Sequence, residues 1–260
     1  MRVVFVFLFV LLYVPCYSQF LVGPKVGFQL SKVTYNDKEY SKLFSTTFKP
    51  GFNAGLVLNY KVNQTFSLHT ELFYSQKGKV EKDKELDNKN VATYHYMDLP
   101  MLLRVSHHKK IKKQNVELYF NVGPSFGYWL GGKGTMHSTE FIEYTDTDKI
   151  KYKIKFDEVD SYGESEFVPN PNRLQIELNL GGGLVFDIAS KGRLMVDFRY
   201  GFGIGHTYLG EKDGGDFGLV TYTDNFEAVN HVISISTAYL YEFNLFQALK
   251  KGKTIKKGRR

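Results

Sequence analysis

Residues 173–205 read RLQIELNLGGGLVFDIASKGRLMVDFRYGFGIG. From Arg173 to Ile188 the even positions carry Leu174, Ile176, Leu178, Leu180, Leu184, Phe186 and Ile188 around Gly182. The odd positions carry Arg173, Gln175, Glu177, Asn179 and Asp187 with Gly181, Gly183 and Val185. A period of two marks a strand, because successive side chains point to opposite faces. After the turn Ala189 to Gly192 the pattern resumes, with Leu194, Val196, Phe198, Tyr200, Phe202 and Ile204 against Arg193, Met195, Asp197, Arg199, Gly201, Gly203 and Gly205. The stretch reads as a hairpin of two strands of about 12 to 16 residues each; strands of soluble sheets usually hold five or six, and a tilted membrane-crossing strand needs about 9 to 11. Its polar face mixes opposed charges with glycines. Glycine weakens a solvent-facing strand but suits the crowded interior of a narrow barrel. The expectation is that the apolar face meets lipid and the polar face fills a lumen.

The same alternation appears along the rest of the chain. Strands are expected over Gly23 to Lys32, Gly51 to Lys61, Thr65 to Gln76, Thr93 to Ser106, Asn115 to Leu130 and Val229 to Leu245, which with the two above makes eight. In the fourth, Met97, Leu99, Met101, Leu103 and Val105 face outward and Asp98 and Arg104 inward. Pro100 cannot donate a ladder bond, so a bulge or gap is expected there. The connections alternate long and short: polar residues 33–50, three residues 62–64, a charged loop Lys77 to Ala92, the basic turn His107 to Gln114, about 40 residues to Arg173, the turn after Ile188, and the long acidic loop His206 to Ala228. Outer-membrane barrels have short turns on the periplasmic side and longer loops outside. A soluble lipocalin-like barrel has no reason to alternate loop lengths and would turn its apolar face inward. The fold class is therefore all-β, an eight-stranded antiparallel transmembrane barrel with long external loops. Ten strands arise if Glu140 to Tyr144 and Lys149 to Phe156 form a further membrane hairpin; that hairpin is expected to project above the membrane instead.

The 260 residues carry no linker-like stretch between strands, so one barrel domain is expected over 19–246. Residues 1–18 read as a signal peptide: Arg2, an apolar run Val3 to Val14, then Pro15-Cys16-Tyr17-Ser18 before Gln19. Cleavage after Ser18 removes Cys16, the sole cysteine, and with it disulfide and thiol chemistry. The tail 247–260 is basic. Setting aside its seven cations and Arg2 turns a net charge of +7 into −1 for the rest, so no basic groove for nucleic acid is expected.

The stretches Gly23-Pro24-Lys25-Val26-Gly27, Tyr96-Met97-Asp98-Leu99-Pro100-Met101-Leu102-Leu103, Asn121-Val122-Gly123-Pro124 and Leu180-Gly181-Gly182-Gly183, behind a leader ending near Gln19, resemble the PorT-like outer-membrane β-barrel family of Gram-negative bacteria. The resemblance spans essentially the mature chain to Phe246. It implies an outer-membrane location and, through the family's founding member, an association with protein secretion by the type IX route. It carries over no catalytic residue, and the basic tail is not part of it.

Two constellations stand out as candidate sites. The first is a lumen charge network of Lys25, Glu71, Asp98, Arg104, Glu117, Arg173, Glu177, Asp187, Arg193, Asp197, Arg199 and Glu242. Eight strands leave an interior just wide enough for side chains, so these charges are expected to pair and plug it. The second is a periplasmic basic face of Lys109, Lys110, Lys112 and Lys113 with Lys250, Lys251, Lys253, Lys256 and Lys257, suited to anionic head groups or a periplasmic partner. Neither catalytic nor metal residues are expected, and no cofactor: phosphate-loop, nucleophile-elbow and paired-carboxylate motifs are lacking. His107-His108, Asp146-Thr147-Asp148 and Asp213-Gly214-Gly215-Asp216 read as solvated turns rather than metal sites. The expected function is a non-enzymatic outer-membrane scaffold or accessory factor for secretion or surface-assembly machinery, with the bilayer and such machinery as partners. A narrow solute channel is the alternative. A lipid-modifying enzyme using the outward His206 and His231 is the third.

Overall fold

A computed structural model describes residues 19–111, 114–143, 146–156, 165–168, 170–188, 192–204, 209–210, 215–216 and 223–243. Eight long strands form a closed ring: β1 (Gln19–Tyr35), β2 (Lys49–Lys61), β3 (Phe66–Asp83), β4 (Lys89–Ile111), β5 (Gln114–His137), β6 (Leu174–Asp187), β7 (Gly192–Gly203) and β8 (Ala228–Phe243). Each pairs antiparallel with its sequence neighbours, and β1 closes on β8. Closure leaves these eight strands without a free edge where they form the ring, which is what a sheet in hydrocarbon requires.

The alternation of residues 173–205 is realised in the β6–β7 hairpin. Arg199 lies opposite Gly181 and Asp197 opposite Gly183. Outward, Leu174, Leu184, Phe198, Tyr200 and Ile204 stay exposed with Phe28, Leu56, Leu72, Met101 and Phe120 from the other strands, whereas Gln175, Glu177, Asp197 and Arg199 are buried. Two of the inward glycines are sterically required. A Cβ at Gly183 would lie 2.0 Å from the Val196 carbonyl and 2.6 Å from Tyr119 Oη, and one at Gly181 would lie 2.8 Å from Asn121 Oδ1. The bare backbone there leaves room for Tyr119, Asn121 and Arg199.

Several connections turn out to be sheet. The expected loop from Lys77 to Ala92 is a continuation of the hairpin between β3 and β4, with Lys77 opposite Tyr94 and Lys79 opposite Ala92. Residues 33–50 hold the end of β1, a short helix Lys38–Leu43 capped by Asp37, and the strand Phe44–Thr47 paired with Val80 to Asp83. With 23 and 24 residues, β4 and β5 run well past the roughly 10 that cross a membrane, so the wall rises above the bilayer on the long-loop side.

The expected hairpin between Glu140 to Tyr144 and Lys149 to Phe156 is not formed. Thr139–Glu143 is a 3-10 turn, and the strand Lys149–Lys155 pairs instead with Gly132 to His137 of β5, taking over that edge above the point where β6 leaves it at Tyr128. The reason lies in its alternate residues. Tyr152 and Ile154 are buried, in one apolar cluster with Ala92, Tyr94, Trp129 and Met136. Pro100 behaves as its chemistry demands: pairing lapses at Leu99 and Pro100 on the β3 side and at Met101 and Leu102 on the β5 side, while Thr70 Oγ1 donates to the Pro100 carbonyl at 3.0 Å.

Candidate functional site: a filled lumen under a sealed outer end

Four cations and four anions occupy the middle of the barrel. Alternation on β1, β3 and β7 aims Lys25, Glu71, Asp197 and Arg199 at one point. Lys25 Nζ lies 2.8 Å from Glu71 and 3.2 Å from Asp197; Arg199 grips Glu71 with both terminal nitrogens, at 3.0 and 2.9 Å, and reaches Asp197 at 3.0 Å. His69 Nε2 stands 2.7 Å from Glu71, and Tyr119 Oη donates to Asp197 at 2.7 Å. One layer outward, Lys77 bridges Asp98, at 3.2 Å, and Glu177, with its ammonium over the Tyr96 ring. One layer inward, the Arg104 guanidinium stacks on Tyr119 at 3.7 Å and donates to Met195 Sδ. Lys25, Lys77, Arg104 and Arg199 thus balance Glu71, Asp98, Glu177 and Asp197. All eight are buried; seven are held in ion pairs, the arrangement in which a buried charge is tolerated, while Arg104 is held by the Tyr119 ring, Met195 Sδ and His69 Nε2. The space left between the two outer layers is a cavity of about 30 Å³ lined by Lys25, Lys77, Asp98, Glu177 and Arg199 among others, room for a water or two.

Above the charges the tube is stoppered. Trp129 is fully buried, with Tyr94, Tyr96, Phe156 and Phe226 around its ring at centroid distances of 4.9 to 6.3 Å. Beside this aromatic cluster, Lys79 pairs with Asp224 and Glu81, and Tyr35 and Tyr40 donate to Glu81. Glu166 is buried against Asp224. Burial first, and then the Asp224 carboxylate, pushes the Glu166 carboxyl well above its ordinary range; burial likewise raises Asp224.

The lower mouth holds the remaining charges. Glu117 takes Lys61 at 3.1 Å, Ser106 at 2.7 Å and His108 at 3.3 Å; Arg193 lies 3.3 Å from both Asp187 and Glu242. A concavity of about 380 Å³ opens here, between His108, Lys109, Lys110, Glu117, Asp187 and Arg193.

Measured against the sequence, the structure brings Lys25, Glu71, Asp98, Glu177, Asp197 and Arg199 together with Arg104 nearby. It sends Glu117, Asp187, Arg193 and Glu242 to the mouth. Arg173 departs from the expected network: its Nε donates to the Trp129 carbonyl, and its guanidinium covers the rings of Tyr128 and Phe156. It sits at the first position before β6, where the wall gives it ring faces rather than lumen. Lys77, Lys79 and Glu81 were missed as interior residues because their charge density reads as a loop; their odd phase, continuing Ser75, was the available signal. Lys112, Lys113, the tail lysines 250–257 and His206 lie outside the described residues. His231 Nδ1 is 2.9 Å from Tyr200 Oη on the outer wall. Among the described residues no cluster of three or more His, Cys, Asp or Glu side chains is arranged to hold a metal.

The outer membrane protein beta-barrel domain family matches residues 16–209, three quarters of the sequence. The chain belongs to that family. The location is accordingly the outer membrane, with lipid around the apolar belt. Among solved structures this barrel is similar to the outer membrane protein OprG of Pseudomonas aeruginosa, at 10% identity over 87% of this chain and 96% of that one, with a TM-score of 0.47. It is also similar to the attachment invasion locus protein Ail of Yersinia pestis, at 12% identity over 85% and 98%, TM-score 0.35, and to Neisserial surface protein A, at 10% over 84% and 95%, TM-score 0.33. No curated protein matches the sequence.

Proposed function

We propose that this barrel is a non-conducting, non-enzymatic outer-membrane scaffold, serving secretion or surface-assembly machinery through its exposed ends. The observation that carries this is the filled interior: eight buried charges of balanced sign, seven of them held in two groups of ion pairs, beneath a stopper built on Trp129. A pathway for ions needs mobile water along the axis and weak, exchangeable sites. Here the axis is occupied by ion pairs, and the cavity lined by Lys25, Lys77, Asp98, Glu177 and Arg199 is only about 30 Å³. The PorT-like resemblance favours a secretion partner, and the basic lower mouth around His108, Lys109 and Lys110 offers it a periplasmic surface.

Planar-bilayer recording of the refolded protein tests the first half: no single-channel steps are expected, and reproducible steps that change with Arg199→Ala would establish a channel instead. Affinity purification of the full chain and of a form lacking 247–260 tests the second. A periplasmic secretion component retained by the full chain is expected, and recovery of the barrel alone from both forms counts against the scaffold.

A further inference from the structure

The outer face of the wall above the membrane is a lysine ladder. Lys133 of β5 stands opposite Lys153, Thr135 opposite Lys151 and His137 opposite Lys149; on the other side Thr93, Val91 and Lys89 of β4 complete the same rows. The inward partners in these rows are Tyr94, Ala92 and Asn90 with Ile154, Tyr152 and Ile150, so the lysines share the opposite face. Lys133, Lys151, Lys153 and Lys155 are exposed and border a concavity of about 750 Å³. Lys49 of β2 lies within repulsive range of Lys133. Among the described residues no carboxylate stands in these rows.

The height of the ladder identifies what it meets. Leu130 is the last exposed apolar residue of β5 below it. Lys133 follows three residues later, about 10 Å along the strand and about 7 to 8 Å along the normal of a bilayer crossed at 35 to 45°. The head-group layer beyond the hydrocarbon is about 5 to 7 Å deep on each side. Lysine side chains extend several ångströms further and can bend toward anions while their stems lie on apolar surface. The lowest rungs, Lys155 with Lys133 and Lys153, therefore lie at the level of lipid head groups, continuous with the lipid-facing belt, and the upper rungs just above it.

We infer that this ladder is a docking face for phosphorylated lipid head groups of the outer leaflet, held by Lys133, Lys151, Lys153 and Lys155. It is separate from the lumen and independent of whether the barrel conducts.

The test uses the full chain refolded in detergent, with bisphosphorylated lipid A as probe and native mass spectrometry as readout. Salt-sensitive binding is expected. At about fivefold per lysine near a charged membrane surface, Lys133→Gln, Lys151→Gln and Lys153→Gln combined should weaken it on the order of a hundredfold. The corresponding Lys→Arg combination should bind like the original. All three side chains are exposed, so heat-modifiable gel mobility should report a folded barrel in each case. Equal binding by the glutamine variant overturns the inference, and so does equal binding of dephosphorylated lipid A. Equally tight binding of a soluble sulfated oligosaccharide would assign the face to a free polyanion and overturn it too. Asp157, Glu158, Asp160 and Glu164 follow the ladder in sequence. If lipid A binds only when these four are neutralised, the ladder's occupant is the chain's own acidic segment, which also overturns the inference.

Discussion

Arg199 is the residue on which the interior depends most. It makes two donations to Glu71 and one close approach to Asp197 from a site 4% exposed. Removing one member of a buried pair leaves a charge without compensation, which costs about 3 to 5 kcal/mol. Arg199→Ala should therefore lower the unfolding free energy by about that amount, read from urea titration of the folded and unfolded gel bands in lipid vesicles. Arg199→Lys should recover only part of it, because an ammonium cannot hold Glu71 with two parallel bonds. Arg173 makes a contrast at the same scale. Its guanidinium covers Tyr128 and Phe156 near the outer rim. Arg173→Ala should cost about 1 kcal/mol, the order of a stacked cation in a half-buried setting.

At the scale of the element, the β6–β7 hairpin shows how each face answers to a different solvent. Phe198 is 57% exposed on the lipid side, midway along β7, between Gly182 and Ile235. Phe198→Lys should destabilise the barrel by about 2 to 4 kcal/mol, the cost of a cation near the bilayer midplane. Replacement of Ile204, nearer the rim, should cost less in the same urea titration. The strand Lys149–Lys155 obeys the same alternation with a different outcome, because its apolar face turns to a protein core and its lysines outward. Its phase was readable from the sequence. Its partner was not: alternation states which residues share a face and is silent on which neighbouring edge receives them, so the turn Asp146-Thr147-Asp148 pointed to Glu140 to Tyr144 as the partner.

For the whole molecule, the outer end should respond to pH. The Glu166 carboxyl, raised above its ordinary 4.5 by burial and by Asp224, keeps its proton in the fold after it would lose it in the unfolded chain. A group shifted upward adds stability that is complete below its unfolded value and is lost as pH climbs toward the folded value. The outer cap should thus loosen as pH rises above about 4.5, and Glu166→Gln should flatten the decline. Trp129, the single tryptophan, sits in that cap, so its emission followed from acid to mildly alkaline pH reports the change. Identical profiles for the original and Glu166→Gln would remove Glu166 as the cause.

Alternation, strand length and the succession of long and short connections determined the barrel and its strand number, because a closed sheet between lipid and a narrow lumen imposes a two-faced rule on every crossing strand. The same rule placed Lys25, Glu71, Asp98, Glu177, Asp197 and Arg199 inside. Tertiary structure alone decided which of them meet, that the inward phase of Ser75 runs on through Lys77 and Lys79 as sheet, and that Arg173 leaves the lumen. It also decided that Glu166 and Asp224 converge under the aromatic stopper. Those outcomes depend on register and tilt around the whole ring, which bring together residues as far apart as Lys25 and Asp197. No local pattern carries that information.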